Sequence, residues 1–207
     1  MTLQELGIKY NTDKATYHNY LNFYEQYLKP KKDTFKKILE IGIKDGASIR
    51  MWREWLNIET IVEGWDIHNI PTIENTVLKN VNQIKRNEML ENITGIYDFI
   101  LDDGLHSQES IEISFSCLFP FCKTYIIEDL HAPWCEKIYE VGKFTIDNVE
   151  NLMYNKVWNS NFSTLPEKLY IETFASIENI FLRGTRENPL SISVIIKNLF
   201  YEDINQY

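Results

Sequence analysis

Short apolar runs recur along the chain, separated by segments in which apolar residues fall at helical spacing. Residues 61–67, 97–101 and 124–127 are rich in Ile, Val, Leu and aromatic side chains, with little regular polar alternation. That is the pattern of strands covered on both faces. The region 35–43 reads as a helix end passing into a strand, and 77–84 contains a further strand. Between them, 16–28, 48–56 and 107–118 carry helical periodicity. Strand and helix therefore alternate, which predicts an α/β fold with a doubly wound, mostly parallel sheet. The pattern changes after Trp134. Residues 143–162 are polar and aromatic-rich, and β character returns at 176–182 and 191–196, with Gly184 and Pro189 between. Two late strands with so short a connection predict a C-terminal antiparallel hairpin at the sheet edge.

The chain has 207 residues, 44% of them hydrophobic, which suits one sizeable core and is short for two α/β domains. A single domain over 1–207 is expected, with 1–34 as an N-terminal helical cap segment and 136–165 as an insert. That insert, with Tyr154, Trp158 and Phe162, reads either as a lid over a ligand or as a packing flap. A net charge of −9 lacks the basic footprint that binding a phosphate backbone requires, so nucleic acid is not an expected partner. No run approaches the roughly 18 apolar residues of a membrane span, and the first residues do not resemble a signal peptide. A soluble, cytoplasmic protein is expected. Cys117, Cys122 and Cys135 are odd in number and form no CxxC pair, so neither a disulfide framework nor a zinc site is indicated.

Candidate chemistry lies at the predicted strand ends. Leu39-Glu40-Ile41-Gly42 leads through Lys44-Asp45 to Gly46-Ala47-Ser48, a strand, a glycine-bearing turn and a helix start whose free N–H groups face any ligand there. Asp66, twenty residues past Gly46, ends the next strand, where an acid accepts hydrogen bonds from ribose hydroxyls. The dinucleotide pattern G-x-G-x-x-G is incomplete, which favours an adenosine cofactor without a pyrophosphate, such as S-adenosylmethionine. Two further strand ends are acid-rich: Asp102-Asp103-Gly104-Leu105-His106, and Glu128-Asp129-Leu130-His131. In a parallel sheet these ends are neighbours, and their carboxylates converge where open sheets bind ligands. Such acids need a cation, and hard oxygen donors suit Mg²⁺, with Mn²⁺ also open. The same residues could instead be helix caps.

Taken together these residues resemble the metal-dependent, S-adenosylmethionine-dependent sugar O-methyltransferases of the class I fold, of the macrolide-sugar (mycinamicin) type with relatives in surface-glycan pathways. The resemblance runs from about Lys9 to Trp134. It is carried by Tyr10-Asn11-Thr12-Asp13-Lys14 with His18, Tyr20 and Tyr24; by Glu40-Ile41-Gly42 and Gly46-Ala47-Ser48-Ile49-Arg50-Met51-Trp52; and by Asp66, Asn82-Gln83 and the two acid loops. It implies that Asp103, Glu128 and Asp129 hold the metal and that His106 is the general base, with Asp103 also counted as catalytic. The cofactor side is expected to comprise Glu40, Gly42, Gly46, Ser48, Asp66, Gln83, Asp102 and Thr12, with Gln83 near the adenine. Tyr20 would border the site. Asn11 stands where the family pattern has glycine, Asn82 where an acid is common, and Phe121-Cys122-Lys123 where a Pro-Gly-Gly-like turn is usual. Some relatives carry a large N-terminal extension, without which their oligomeric arrangement is not expected to transfer, and a homo-oligomer stays open.

The implied reaction is methyl transfer to a sugar hydroxyl, on a nucleotide-activated sugar or a glycan building block. His131 competes with His106 as the base, since it too follows an acid pair; His18 and His68 do not. Three other readings use the same residues: an NAD-dependent nucleotide-sugar oxidoreductase or epimerase, a metal-dependent glycosyltransferase, and a catalytically inactive glycan-binding protein.

Overall fold

The computed structural model describes residues 1–68, 72–130, 164–184 and 189–203. The N-terminal segment forms α1 (Leu3–Tyr10), α2 (Asp13–Thr16) and α3 (Leu21–Leu28), followed by a 3₁₀ turn at Lys29–Thr34. The expected helix over 16–28 is thus shorter, and α1 precedes it. Helix α1 starts where Thr2 and Glu5 cap each other reciprocally, and it ends at Asn11 in the left-handed conformation (φ 57°). Asparagine adopts that conformation more readily than other non-glycine residues, which explains why it can stand where the family pattern has glycine.

Then follow β1 (Lys37–Ile41), α4 (Ala47–Trp55), β2 (Ile61–Asp66), β3 (Val77–Asn80), α5 (Arg86–Asn92), β4 (Phe99–Asp102), α6 (Gln108–Leu118) and β5 (Thr124–Ile127). The chain closes with α7 (Leu165–Phe174), β6 (Ala175–Gly184), β7 (Pro189–Asn198) and α8 (Phe200–Asp203). The seven strands form one sheet in the order β3-β2-β1-β4-β5-β7-β6. Strands β1 to β5 pair in parallel, and β7 runs antiparallel to both β5 and β6. The hairpin is antiparallel as expected, with β6 at the edge and β7 filling the place beside β5.

Strand alternation divides the core in two. Ile38, Val62, Phe99, Leu101, Ile126 and Ile195 join Leu3, Leu21 and Trp52 from α1, α3 and α4. Leu39, Ile41, Ile100, Tyr125, Ile127 and Val194 join Met89, Phe115 and Ile171 from α5, α6 and α7. The same alternation decides which way each strand-end acid faces. Glu40, Asp103 and Glu128 follow the parity of Ile38, Leu101 and Ile126, so they face the N-terminal helices. Asp102, one residue earlier than Asp103, faces α6.

Candidate active site

A cleft of about 870 Å³ opens at the carboxyl ends of the parallel strands. Its volume lies within the usual ligand-pocket range of about 300–1,000 Å³. Thr12, Gly42, Ser48, Asp66, Asp103, His106 and Asp129 all line it. At Gly42 (φ +80°) the loop after β1 passes so close to the loop after β4 that an added Cβ would lie 2.1 Å from the Asp103 carbonyl oxygen. Only glycine allows that approach. Gly46 (φ 78°) caps α4 and aims its first turn at the cleft. Both Asp66 carboxylate oxygens accept backbone hydrogen bonds, from Lys44 N–H at 2.8 Å and His68 N–H at 2.9 Å. The carboxylate is thereby fixed at the cleft wall.

Asp103, His106 and Asp129 meet at one end of the cleft. Each offers a ligand atom, and these atoms lie within 4.8 Å of one another. The His106 Nε2 atom is 3.5 Å from Asp103 Oδ1 and 3.7 Å from Asp129 Oδ2. Donors on opposite sides of a magnesium ion stand about 4.2 Å apart, given bonds of about 2.1 Å. The two carboxylates can therefore share a divalent ion after a small closure, with His106 beside it, and their oxygen donors are those Mg²⁺ prefers. His106 (φ 58°) and Asp129 (φ 53°) both hold left-handed backbone conformations. Non-glycine residues adopt these at a cost, and they concentrate at functional sites.

The remaining expected site residues lie beneath the cleft wall. Glu128 is buried, accepting from Lys14 Nζ at 2.7 Å and from Tyr24 O–H at 2.8 Å. Lys14, 1% exposed, also contacts Asp103 and stands 3.4 Å from Glu40. The acids are thus joined by an ammonium from the chain itself, which the sequence reading did not anticipate. Burial works to lower the Lys14 pKa, but Asp103, Glu128 and Glu40 outweigh it and hold it well above the ordinary lysine value. Burial pushes Glu40 up to about 7 against the pull of Lys14. Glu128 is also raised, by burial and by Asp103 and Asp129, with Lys14 opposing.

Asp102 is buried and accepts from Ser114 O–H, from Tyr125 O–H at 2.9 Å and from the Gln83 amide at 2.7 Å. Gln83 in turn accepts from Leu105 N–H at 2.8 Å. These two residues, expected on the cofactor side, shape the Asp103–His106 loop from below and are not among the side chains that line the cleft.

His18 is the functional candidate that sequence reasoning set aside. Its Nδ1 atom lies 3.3 Å from Asp129 Oδ1 and 2.9 Å from Ser191 Oγ, and its ring stacks on Tyr20. Tyr20 donates to Asp129 at 2.8 Å. Only long-range folding supplies Asp129 and Ser191 as partners; the one signal in the sequence was His18's place in the N-terminal motif. His131, Cys135 and residues 136–163 of the expected insert lie outside the described residues, whereas Thr164 caps α7. Cys117 and Cys122 are buried free thiols. Among the described residues, no helix is long and apolar enough to cross a membrane.

The sheet and its helices define a class I methyltransferase fold. The MycE methyltransferase of the mycinamycin pathway, solved with Mg and SAH, superposes with a TM-score of 0.71 at 20% identity, covering 96% of this chain and 55% of that one. An O-methyltransferase from Bacillus cereus in complex with SAH superposes at 0.53 with 12% identity, covering 95% of this chain and 90% of that one. In sequence, the chain is similar to a rhamnosyl tetracenomycin-C 2′-O-methyltransferase of Streptomyces olivaceus, 29% identical over 147 residues (64% of this chain, 38% of that protein). It is likewise similar to L-olivosyl-oleandolide 3-O-methyltransferase of Streptomyces antibioticus, 30% identical over 142 residues (61% and 36%). The chain thus spans little more than a third of the length of these curated relatives. No protein-family model matches it.

Proposed function

We propose that the protein is an S-adenosylmethionine-dependent, divalent-metal-dependent O-methyltransferase acting on a hydroxyl of a sugar. One observation carries the reading: the Asp103–His106–Asp129 group stands in the same cleft as the Gly42 turn and Asp66. A cofactor held by the second and an acceptor held at the first share one space. The named relatives act on deoxysugar glycosides, which supports a sugar acceptor.

In this reading Asp66 receives the ribose hydroxyls, and the first turn of α4 faces the cofactor. Asp103 and Asp129 would hold Mg²⁺ or Mn²⁺ with Glu128 behind them, and the ion would supply Lewis-acid polarisation of an acceptor hydroxyl. His106 takes the hydroxyl proton as the acceptor oxygen bonds to the methyl carbon and the carbon–sulfur bond breaks, leaving S-adenosylhomocysteine. Alignment of two bound reactants contributes roughly 7–11 kcal/mol, and a general base about 10²–10⁴-fold. The acceptor is a nucleotide-activated sugar or a glycan building block, with surface polysaccharide as destination and the cytoplasm as the place of reaction.

The test is a screen of sugar acceptors by mass spectrometry with Mg²⁺ and S-adenosylmethionine. A gain of one methyl group that vanishes without metal is expected. Thermal stabilisation by NAD and not by S-adenosylmethionine would replace this reading with the oxidoreductase one.

A further inference from the structure

Lys14 occupies a position that metal binding alone does not explain. Parity and register bring Glu40, Asp103 and Glu128 to the tips of three adjacent strands, on the face that α2 covers. The Lys14 ammonium stands between them, in contact with Asp103, 2.7 Å from Glu128 and 3.4 Å from Glu40. An ammonium has three donors, and here three carboxyl groups surround it. Asp103 is also one of the residues whose ligand atoms converge with those of His106 and Asp129. It therefore faces two cation positions, one filled by the chain.

We propose that Lys14 is the resident cation of this acid cluster, and that a divalent ion at Asp103 and Asp129 competes with it for Asp103. In the metal-free protein Lys14 keeps Asp103 and Glu128 from repelling each other and so preserves the site. On metal binding it gives up Asp103 and keeps Glu128 and Glu40. Lys14 is a positioning residue in this scheme, since it acts through Asp103. The inference rests on the proposed metal dependence.

Calorimetric titration of Mg²⁺ into wild type, Lys14→Met and Lys14→Arg, without cofactor or acceptor, tests it. Removing the competitor should tighten Mg²⁺ binding by about 5–150-fold, the usual size of coupling between sites. Metal-free Lys14→Met should melt lower than wild type and gain more from Mg²⁺, because a ligand bound only by the folded state stabilises it. Lys14→Arg, which keeps the charge, should stay near wild type. Unchanged or weaker binding by Lys14→Met, with wild type binding normally, overturns the competition and leaves the metal reading intact. Failure of every variant and of wild type to bind Mg²⁺ or Mn²⁺ overturns both. If Lys14→Met does not fold, the side-chain ammonium resonance of Lys14 in wild-type protein decides the matter: it should move as Mg²⁺ is added, and an unmoved resonance at saturation overturns the proposal.

Discussion

Two buried ion clusters in this molecule have opposite balances of charge. On β2, the buried Glu63 meets two ammonium groups, Lys79 at 2.7 Å and Lys37 at 3.1 Å, and accepts from the Trp65 indole at 2.8 Å. Burial would raise its pKa, but Lys79, Trp65 and Lys37 together hold it below the ordinary carboxylate value. At the tips of β1, β4 and β5 the ratio is reversed, with Glu40, Asp103 and Glu128 around Lys14. There Glu40 and Glu128 are raised. A cluster with surplus cation is closed and structural. One with surplus acid, open to a cleft, is suited to receive further positive charge from a ligand.

The sharpest way to break this comparison is to remove the metal. Exhaustive chelation, or Asp103→Asn, should abolish methyl transfer, and Mg²⁺ should restore only the chelated wild type; full turnover in metal-free protein checked by elemental analysis would remove the acid-rich cluster from catalysis. Next in size, His106→Ala should slow single-turnover transfer by about 10²–10⁴-fold. His18→Ala and His131→Ala should cost much less, and a reversed ranking would reassign the base. Glu63→Gln should act on the other cluster alone. It leaves two lysines without their countercharge and should cost about 3 kcal/mol in a denaturant melt, with the S-adenosylmethionine Kd unchanged. Asp66→Ala should weaken that Kd roughly tenfold or more, the scale of a lost hydrogen bond to a charged group.

The smallest effect concerns pH. Glu40, with a folded pKa of about 7, is raised above its unfolded value. Between about pH 4.5 and 7 the folded state keeps a proton that the unfolded chain has released, so metal-free stability should fall as pH rises through that window. Buried Asp102 and Glu128, also raised, act in the same direction. Thermal melts of Glu40→Gln should show a flatter slope; an identical slope would mean that Glu40 is ionised throughout.

The sequence by itself determined most of the parallel sheet. Apolar runs at 61–67, 97–101 and 124–127 mark buried strands because they need little beyond local burial to be recognised, and Gly42 is legible because a turn that tight excludes a side chain. The expected base and the acid-bearing loops were likewise visible as strand-end residues. Helix α1 fell inside the helical cap segment expected over 1–34, but its bounds went unread although Thr2 and Glu5 carry its capping signal, since a helix that short owes its stability to docking Leu3 and Leu6 in the core. What only the tertiary structure decided is the division of labour among the acids. Alternation places Asp102 and Asp103 on opposite faces, but local pattern does not tell which face holds the N-terminal helices and the site and which holds α5, α6 and α7. Lys14 reaches Asp103 across 89 residues and Glu128 across 114, and His18 reaches Asp129 from another loop. Such pairings depend on strand order and register, which the whole core selects, so no local stretch of sequence encodes them.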